Sequence, residues 1–322
     1  MFKRIILIAV CALSVRSVTE ACDICATHVA LAGRESAGHT TISLYHMYSR
    51  YDRPSGGGHS FDSHTTQAAV SHWLADRWAV QVGVPYVYRK LDDESESGLG
   101  DATLIALYRA LNRFVDDHVY RIDVYGGVKA PTGDSDRLRD EREARTSHHH
   151  GHAHRHHAPA SAHDAASEHH GHHRPHAVGH HLAPGSGSWD GIFGVKGMVK
   201  RGRWLGLAET QYNLRTKGDH GFRHGDEWTW RIGTHYYALL TEEKSLTAGM
   251  NVSGEWRDEN RLDGRTLRGS DKAGAYVGPA LGYTHSDRLY LTAAYDIPVS
   301  ERNKGTGGAA DHRARVSLAW SF

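Results

Sequence analysis

Residues 204–215 read WLGLAETQYNLR, and the alternation within that short run decides the fold. Trp204, Gly206, Ala208, Thr210, Tyr212 and Leu214 share one face of an extended chain, whereas Glu209, Gln211, Asn213 and Arg215 share the other. Successive side chains of a strand point to opposite sides, so the stretch is a strand with one apolar and one wet face. A helix, with its period of about 3.6, would scatter the same residues around its axis.

Outward from this run the same split returns. Trp228, Trp230, Ile232, Tyr236 and Ala238 oppose Arg231, Gly233 and His235, and Tyr120, Ile122, Val124 and Val128 oppose Arg121, Asp123 and Lys129. About twelve such strands are expected, an even number as single-chain outer-membrane barrels have. They start near Thr40, Phe61, Trp78, Leu99, Val119, Trp189, Trp204, Glu227, Leu246, Ala275, Leu289 and Asp311. A soluble β-sandwich also alternates, and the strand count is one of three features against it. The connections are the second. Short ones near Ala75, Asn112, Arg201, Glu242 and Ser286 interleave with longer ones near Pro54, Asp93, His163, Asp219, Asn260 and Gly305. Short periplasmic turns and long external loops give that pattern when both termini lie in the periplasm.

The third feature is the ending. Ala314, Val316, Leu318, Trp320 and Phe322 lie on one face, a pattern that resembles the signal read by the barrel assembly machinery of outer membranes. Trp73, Trp78, Tyr86, Tyr88, Trp256 and Tyr283, toward strand ends, are expected in the two aromatic girdles. The fold class is therefore all-β: a transmembrane antiparallel barrel over 40–322, surrounded by outer-membrane lipid and closed because lipid cannot satisfy a sheet edge.

The chain's beginning agrees with export. Lys3 and Arg4 precede an apolar run from Ile5 to Val15, and Ala21 stands before Cys22. A signal peptide is expected over 1–21, taking Cys11 with it, followed by a periplasmic segment over 22–39. A lipid-modified Cys22 is the alternative, although the usual preceding leucine is missing. No apolar stretch reaches the roughly twenty residues of a membrane-spanning helix. Lysine plus arginine, 38, nearly balances aspartate plus glutamate, 37, so no basic stripe points to nucleic acid. With 322 residues, 35 glycines and 8 prolines, one large all-β domain is expected. A TonB-dependent receptor, with its plug and about twenty-two strands, would need a longer chain.

Three motifs stand at strand ends: Gly98-Leu99-Gly100-Asp101, Pro131-Thr132-Gly133-Asp134 and Gly185-Ser186-Gly187-Ser188-Trp189-Asp190. Each alone is ordinary turn chemistry. In this order they resemble the outer-membrane transporters grouped as meta-pathway phenol-degradation proteins, over most of the mature chain. The resemblance implies a barrel channel for small hydrophobic or aromatic compounds. One departure stands out: where a modest loop would join the second and third motifs, residues 135–184 form a long insertion expected to be a disordered external loop.

From Ser147 to His181 that insertion holds more than half of the chain's 27 histidines, spaced by Ala, Gly, Pro and Ser. Such a composition buries no core. His148, His149, His150, His152, His154, His156, His157, His163, His169, His170, His172, His173, His176, His180 and His181 are candidate metal ligands. Neutral imidazoles in HH and HxH spacing suit zinc, copper, nickel or cobalt, and a flexible tract suits several exchangeable sites. Two other readings stand beside it: an incidental low-complexity loop, and a pH-responsive segment that charges near pH ~6. His59, His64, His220 and His224, in or near external loops, would extend a metal path toward the lumen. Cys22, Cys25 and His28 give C-x2-C-x2-H, a second candidate metal site, or else a disulfide in an oxidising compartment.

The inward polar set is Arg109, Arg121, Asp123, Lys129, Glu209, Gln211, Asn213, Arg215, Arg231, His235, Asn251, Glu255, Asp296, Arg313 and Arg315. Mixed charge of this kind suits either a watery channel or a salt-bridged, plugged interior. No motif resembles the rim lipases or proteases, so a non-enzymatic channel is expected, with metal ions or small solutes as cargo and no organic cofactor, and an outer-membrane barrel enzyme stands as the further alternative.

Overall fold

The computed structural model describes residues 36–51, 60–140, 142–143, 179–303 and 310–322. Strands run through Thr40–Tyr51 (β1), Phe61–Ala75 (β2), Trp78–Leu91 (β3), Glu94–Leu99 (β4), Thr103–Val115 (β5) and His118–Lys129 (β6). Next come Asp190–Arg201 (β7), Trp204–Leu214 (β8), Phe222–Arg223 (β9), Glu227–Leu240 (β10) and Lys244–Arg257 (β11). Two short pieces, Arg261–Leu262 (β12) and Arg265–Thr266 (β13), precede Lys272–His285 (β14), Leu289–Asn303 (β15) and His312–Ser321 (β16). The sheet is antiparallel and closes when β1 pairs with β16, Thr41 opposite Ser321 and Arg50 opposite His312. The result is a barrel of 12 strands. The pieces β9, β12 and β13 make a separate small sheet over one end.

Why the barrel holds its shape follows from the alternation. Ile42, Leu44, Val82, Leu104, Phe193, Ile232, Met250 and Leu318 are exposed on the outside, while Ser43, Gln67, Asp123, Gln211, Asn251 and Arg315 are buried within. A water-soluble protein would hide the first set and show the second. In a bilayer the outer face meets acyl chains, and closure leaves few backbone groups unpaired. Tight turns at 76–77, 116–117, 202–203 and 286–288 share the end that holds Thr40 and Phe322, and longer connections occupy the other. By the usual arrangement of outer-membrane barrels, the turn end is periplasmic and the loop end external.

Several expectations need correction. The connection near Asp93 is a two-residue turn, because β3 and β4 extend as a hairpin, with Leu91 opposite Glu94. The strand expected to start at Leu99 instead starts at Glu94 and breaks at 100–102, where Gly100 donates its N–H to the carbonyl of Pro85 (2.8 Å). Proline has no N–H for the ladder, so pairing resumes only at Gly83 opposite Thr103. Trp73 does not join a girdle: it is 1% exposed and faces the lumen, on the same parity as Ser71 and Gln67. Trp78, Tyr86 and Tyr88 do face outward.

The insertion over 135–184 is ordered at both ends. Residues 136–140 form a helical turn, and Gly179–Leu182 another. Leu138 and Ala183 are buried with Phe222 and Leu262, so apolar side chains pin both ends over the loop end of the lumen. The rest of the histidine tract, the signal segment 1–21 and most of the segment 22–39 lie outside the described residues.

Candidate functional site

The lumen is layered. Nearest the loop end, the three motifs meet in one knot. Gly133 and Gly185 touch backbone to backbone, and a Cβ built on Gly185 would stand 2.4 Å from the Gly133 carbonyl carbon. A Cβ on Gly133 would stand 2.7 Å from the carbonyl carbon of Gly100, so the glycines of all three motifs pack without room for a side chain. Gly187 has φ +63°, a left-handed conformation that disfavours side chains. The Gly185 N–H donates to the carbonyl of Asp134 (2.7 Å), and the Asp134 N–H to that of Leu99 (3.2 Å).

Charge fills the centre of this knot. Lys129 Nζ lies 2.9 Å from Asp101 Oδ2, 2.8 Å from Asp190 Oδ2 and 2.7 Å from Ser186 Oγ. Asp101 also accepts from the Ser186 N–H (2.9 Å), the Ser186 hydroxyl (2.6 Å) and the Gly133 N–H (3.1 Å). Asp190 accepts from the Ser188 hydroxyl (2.9 Å), the Thr216 N–H (2.9 Å) and Arg215 (3.0 Å). Arg215 reaches on to Glu227 at 2.9 Å, which takes a further hydrogen bond from Asn213 (3.1 Å). Each carboxylate buried here has a cation and neutral donors, the condition under which buried charge is tolerated.

A second belt lies closer to the turn end. Register sets Arg109, Asp123, Lys196, Glu209 and Arg231 side by side across β5, β6, β7, β8 and β10, alternating in sign. Arg109 Nε donates to Asp123 Oδ1 at 3.1 Å, and its guanidinium lies over the Trp73 ring, 4.2 Å from the centroid. Between knot and belt, Trp73, Ala79, Ile105, Leu107, Tyr125 and Ile192 form an apolar layer inside the barrel. The Tyr125 hydroxyl lies 3.1 Å from both Glu209 Oε1 and Gln211 Oε1, joining the layers. Toward the turn end the lumen opens into a cavity of about 670 Å³, lined by Arg121, Lys196, Arg231, His235, Leu205 and Arg315 among others.

On the far wall Arg313 pairs with Glu255 and lies over the Tyr276 ring, 3.9 Å from its centroid. Arg315 meets Asp296 at 2.6 Å, and His235 Nε2 lies 3.1 Å from Asn251 Oδ1. Arg121, Asp123, Glu209, Arg215, Arg231, His235, Glu255, Arg313 and Arg315 thus all sit on inward-facing strand positions or at their ends. Missed by sequence reasoning was the meeting of Asp101, Ser186, Ser188 and Asp190 around Lys129. The available signal was a lysine two residues before one motif and an aspartate closing each of the others.

The metal candidates fare differently. Cys22, Cys25, His28, the histidines from His148 to His176 and the side chain of His180 fall outside the described part of the structure. His181 is half-buried, its carbonyl accepting from Arg89 (3.4 Å) and its ring lying 6.2 Å from that of Phe61. His220 and His224 lie in the connection between β8 and β10, as expected. His64 does not line a path to the lumen, because its position on β2 faces outward, opposite in parity to Ser63 and Thr65. Among the described residues, no group of three or more His, Cys, Asp or Glu side chains could hold a metal ion.

No family model and no curated protein matches the chain. Solved structures do. An outer membrane channel from Pseudomonas putida F1 aligns over 91% of this chain and 98% of its own, with 15% identity and a TM-score of 0.61. The likeness is one of fold. The β domain of the Bordetella autotransporter BrkA aligns over 89% of this chain and all of its own at 10% identity, with a TM-score of 0.45. The first match spans 91% of this chain and agrees with a closed antiparallel β-barrel fold.

Proposed function

We propose that this chain is a non-enzymatic outer-membrane channel for small solutes whose histidine tract gathers zinc, copper, nickel or cobalt at the external mouth. The observation that carries the channel reading is the lumen itself. A cavity of about 670 Å³ with charged and apolar lining lies toward the turn end, and at the loop end described parts of the connections, Leu138, Ala183, Phe222 and Leu262, pack against one another. Connections can rearrange without breaking the barrel's hydrogen-bond ladder, so access at that end is separable from fold. The metal reading is supported by the tract's composition and by its attachment. Both of its ordered ends lie over the lumen, at Leu138 and at Leu182–Ala183.

A second reading is passage of small hydrophobic or aromatic compounds, with the tract incidental. It is favoured by the apolar layer of Trp73, Ile105, Leu107, Tyr125 and Ile192 inside the barrel. Two measurements on the refolded barrel separate the readings: titration calorimetry with zinc, copper and nickel, and flux into liposomes, each with and without residues 147–181. Micromolar metal binding that disappears with the tract supports the first. Flux of aromatic solutes that ignores the tract, with no metal binding, supports the second. A barrel that passes neither ions nor solutes under any condition would overturn the channel reading itself.

A further inference from the structure

The lipid-facing wall is not chemically uniform. In the loop-end half of the barrel the outward positions of β5, β6, β7, β8, β10, β11, β14 and β15 carry residues such as Leu104, Val128, Phe193, Tyr212, Trp228, Val252, Val277 and Ile297. Among the strand residues whose side chains are described, the outward-facing carboxylate, cationic and imidazole side chains of that half fall on four neighbours, β16, β1, β2 and β3. Register arranges them in rows. The outermost holds His312, Arg50, Asp62 and Lys90 side by side. The next holds Ala314, Tyr48, His64 and Tyr88, and the third Val316, His46, Thr66 and Tyr86.

These side chains touch one another. The Tyr48 hydroxyl donates to Asp62 Oδ1 at 2.8 Å, and its ring lies 4.7 Å from that of His64 and 5.8 Å from that of His312. His64 lies 5.6 Å from His46 and 5.8 Å from Tyr88. With strands about 4.8 Å apart and same-face neighbours about 6.7 Å apart, the patch is roughly 14 Å wide and 13 Å deep. Its single carboxylate is flanked by Arg50 and Lys90 in register, so its outermost row carries net positive charge even with neutral imidazoles.

We propose that this sector binds the phosphorylated headgroup of an outer-leaflet glycolipid of the lipid A type. Arg50 and Lys90 would take the phosphates, with His312 beside them, because guanidinium and ammonium groups form strong charge-assisted hydrogen bonds to phosphate oxygens. The rows of Tyr and His beneath suit the boundary between headgroup and acyl chains, where amphipathic rings collect. The occupant is a lipid because the patch lies on the lipid-facing wall at the rim of the outer leaflet. A second copy of this chain fits less well, since a two-fold interface would set one net-positive row against another. Concentration of these described side chains in one sector makes this a single seat rather than a general annulus.

Native mass spectrometry of the full refolded chain in mild detergent tests the assignment, with bis-phosphorylated lipid A as probe. One retained lipid A is expected. Retention should weaken about tenfold or more when lipid A lacks its phosphates, and equally in the Arg50→Gln/Lys90→Gln variant, since each cation near an anionic surface contributes on the order of a tenfold factor or slightly less. Arg201→Gln, an outward cation at the turn end, should change nothing, and millimolar inorganic phosphate should not displace the lipid. Melting followed by circular dichroism confirms that each variant keeps its barrel. Equal retention of dephosphorylated lipid, undiminished retention by the double variant, or a lipid-free dimer would each overturn the proposal.

Discussion

Lys129→Met is the sharpest perturbation of the lumen. The ammonium group lies within 3 Å of two carboxylates, with side-chain exposures of 4% for Lys129 and 1% for both Asp101 and Asp190. Methionine fills the same volume without charge. Asp190 would still have Arg215 at 3.0 Å, but the donors remaining to Asp101 among the described residues would be neutral, Ser186 and the Gly133 N–H. Removing one partner of a buried pair costs about 3–5 kcal/mol, mostly through the charge left behind. That penalty acts on the knot, so it should appear first as local opening. Trypsin cleavage after Arg137 and Arg139, which sit in the connection the knot secures, should accelerate by a hundredfold or more, since each ~1.4 kcal/mol is a factor of ten. Asp101→Asn added to Lys129→Met should recover a substantial part of the loss, because it removes the stranded charge. A single variant cleaved at the wild-type rate, or a double variant no better than the single, would refute the reasoning.

Three further outcomes are expected. Gly185→Ala would press a methyl group to 2.4 Å from the Gly133 carbonyl carbon, and a loss of about 1–3 kcal/mol in the same cleavage assay should follow. Trp73→Ala removes the largest side chain of the inner apolar layer and the ring under Arg109; it should cost about 3–5 kcal/mol in urea unfolding and raise single-channel conductance across planar bilayers. Metal binding by the tract should weaken as pH falls through ~6.5, because protons compete for imidazole nitrogens; calorimetry at pH 7.5 and 5.5 gives the comparison.

The strand pattern was legible because apolar outward and polar inward side chains alternate over runs such as 208–215, and lipid outside with polar groups inside gives the alternation high contrast. Boundaries shifted where other forces acted. Pro85 and Gly100 break a strand that periodicity alone would continue, and Trp73 faces inward because parity, not aromatic character, sets its direction. The motif knot was only half legible. Its glycines and aspartates are visible as turn residues, but their meeting depends on three connections folding into one lumen, a long-range relation that spacing along the chain does not carry. The ordered ends of the insertion escaped notice for a similar reason. Leu138 is an isolated apolar residue in polar sequence and Ala183 a small one, and Phe222 and Leu262, which pack with them, come from other connections.

The alternating belt of Arg109, Asp123, Lys196, Glu209 and Arg231 has a consequence for assembly. A barrel's inside-outside pattern repeats every two residues, so a strand that slips by two still points its apolar side chains at lipid. Hydrophobicity cannot tell that misfold from the native sheet. The belt can: slipping β8 by two against β7 sets Lys196 opposite Gln211 or Leu207 in place of Glu209, and strands their charges at the lumen wall. Five charges in line therefore act as a proofreading device, rejecting the one family of misalignments that the membrane itself would accept.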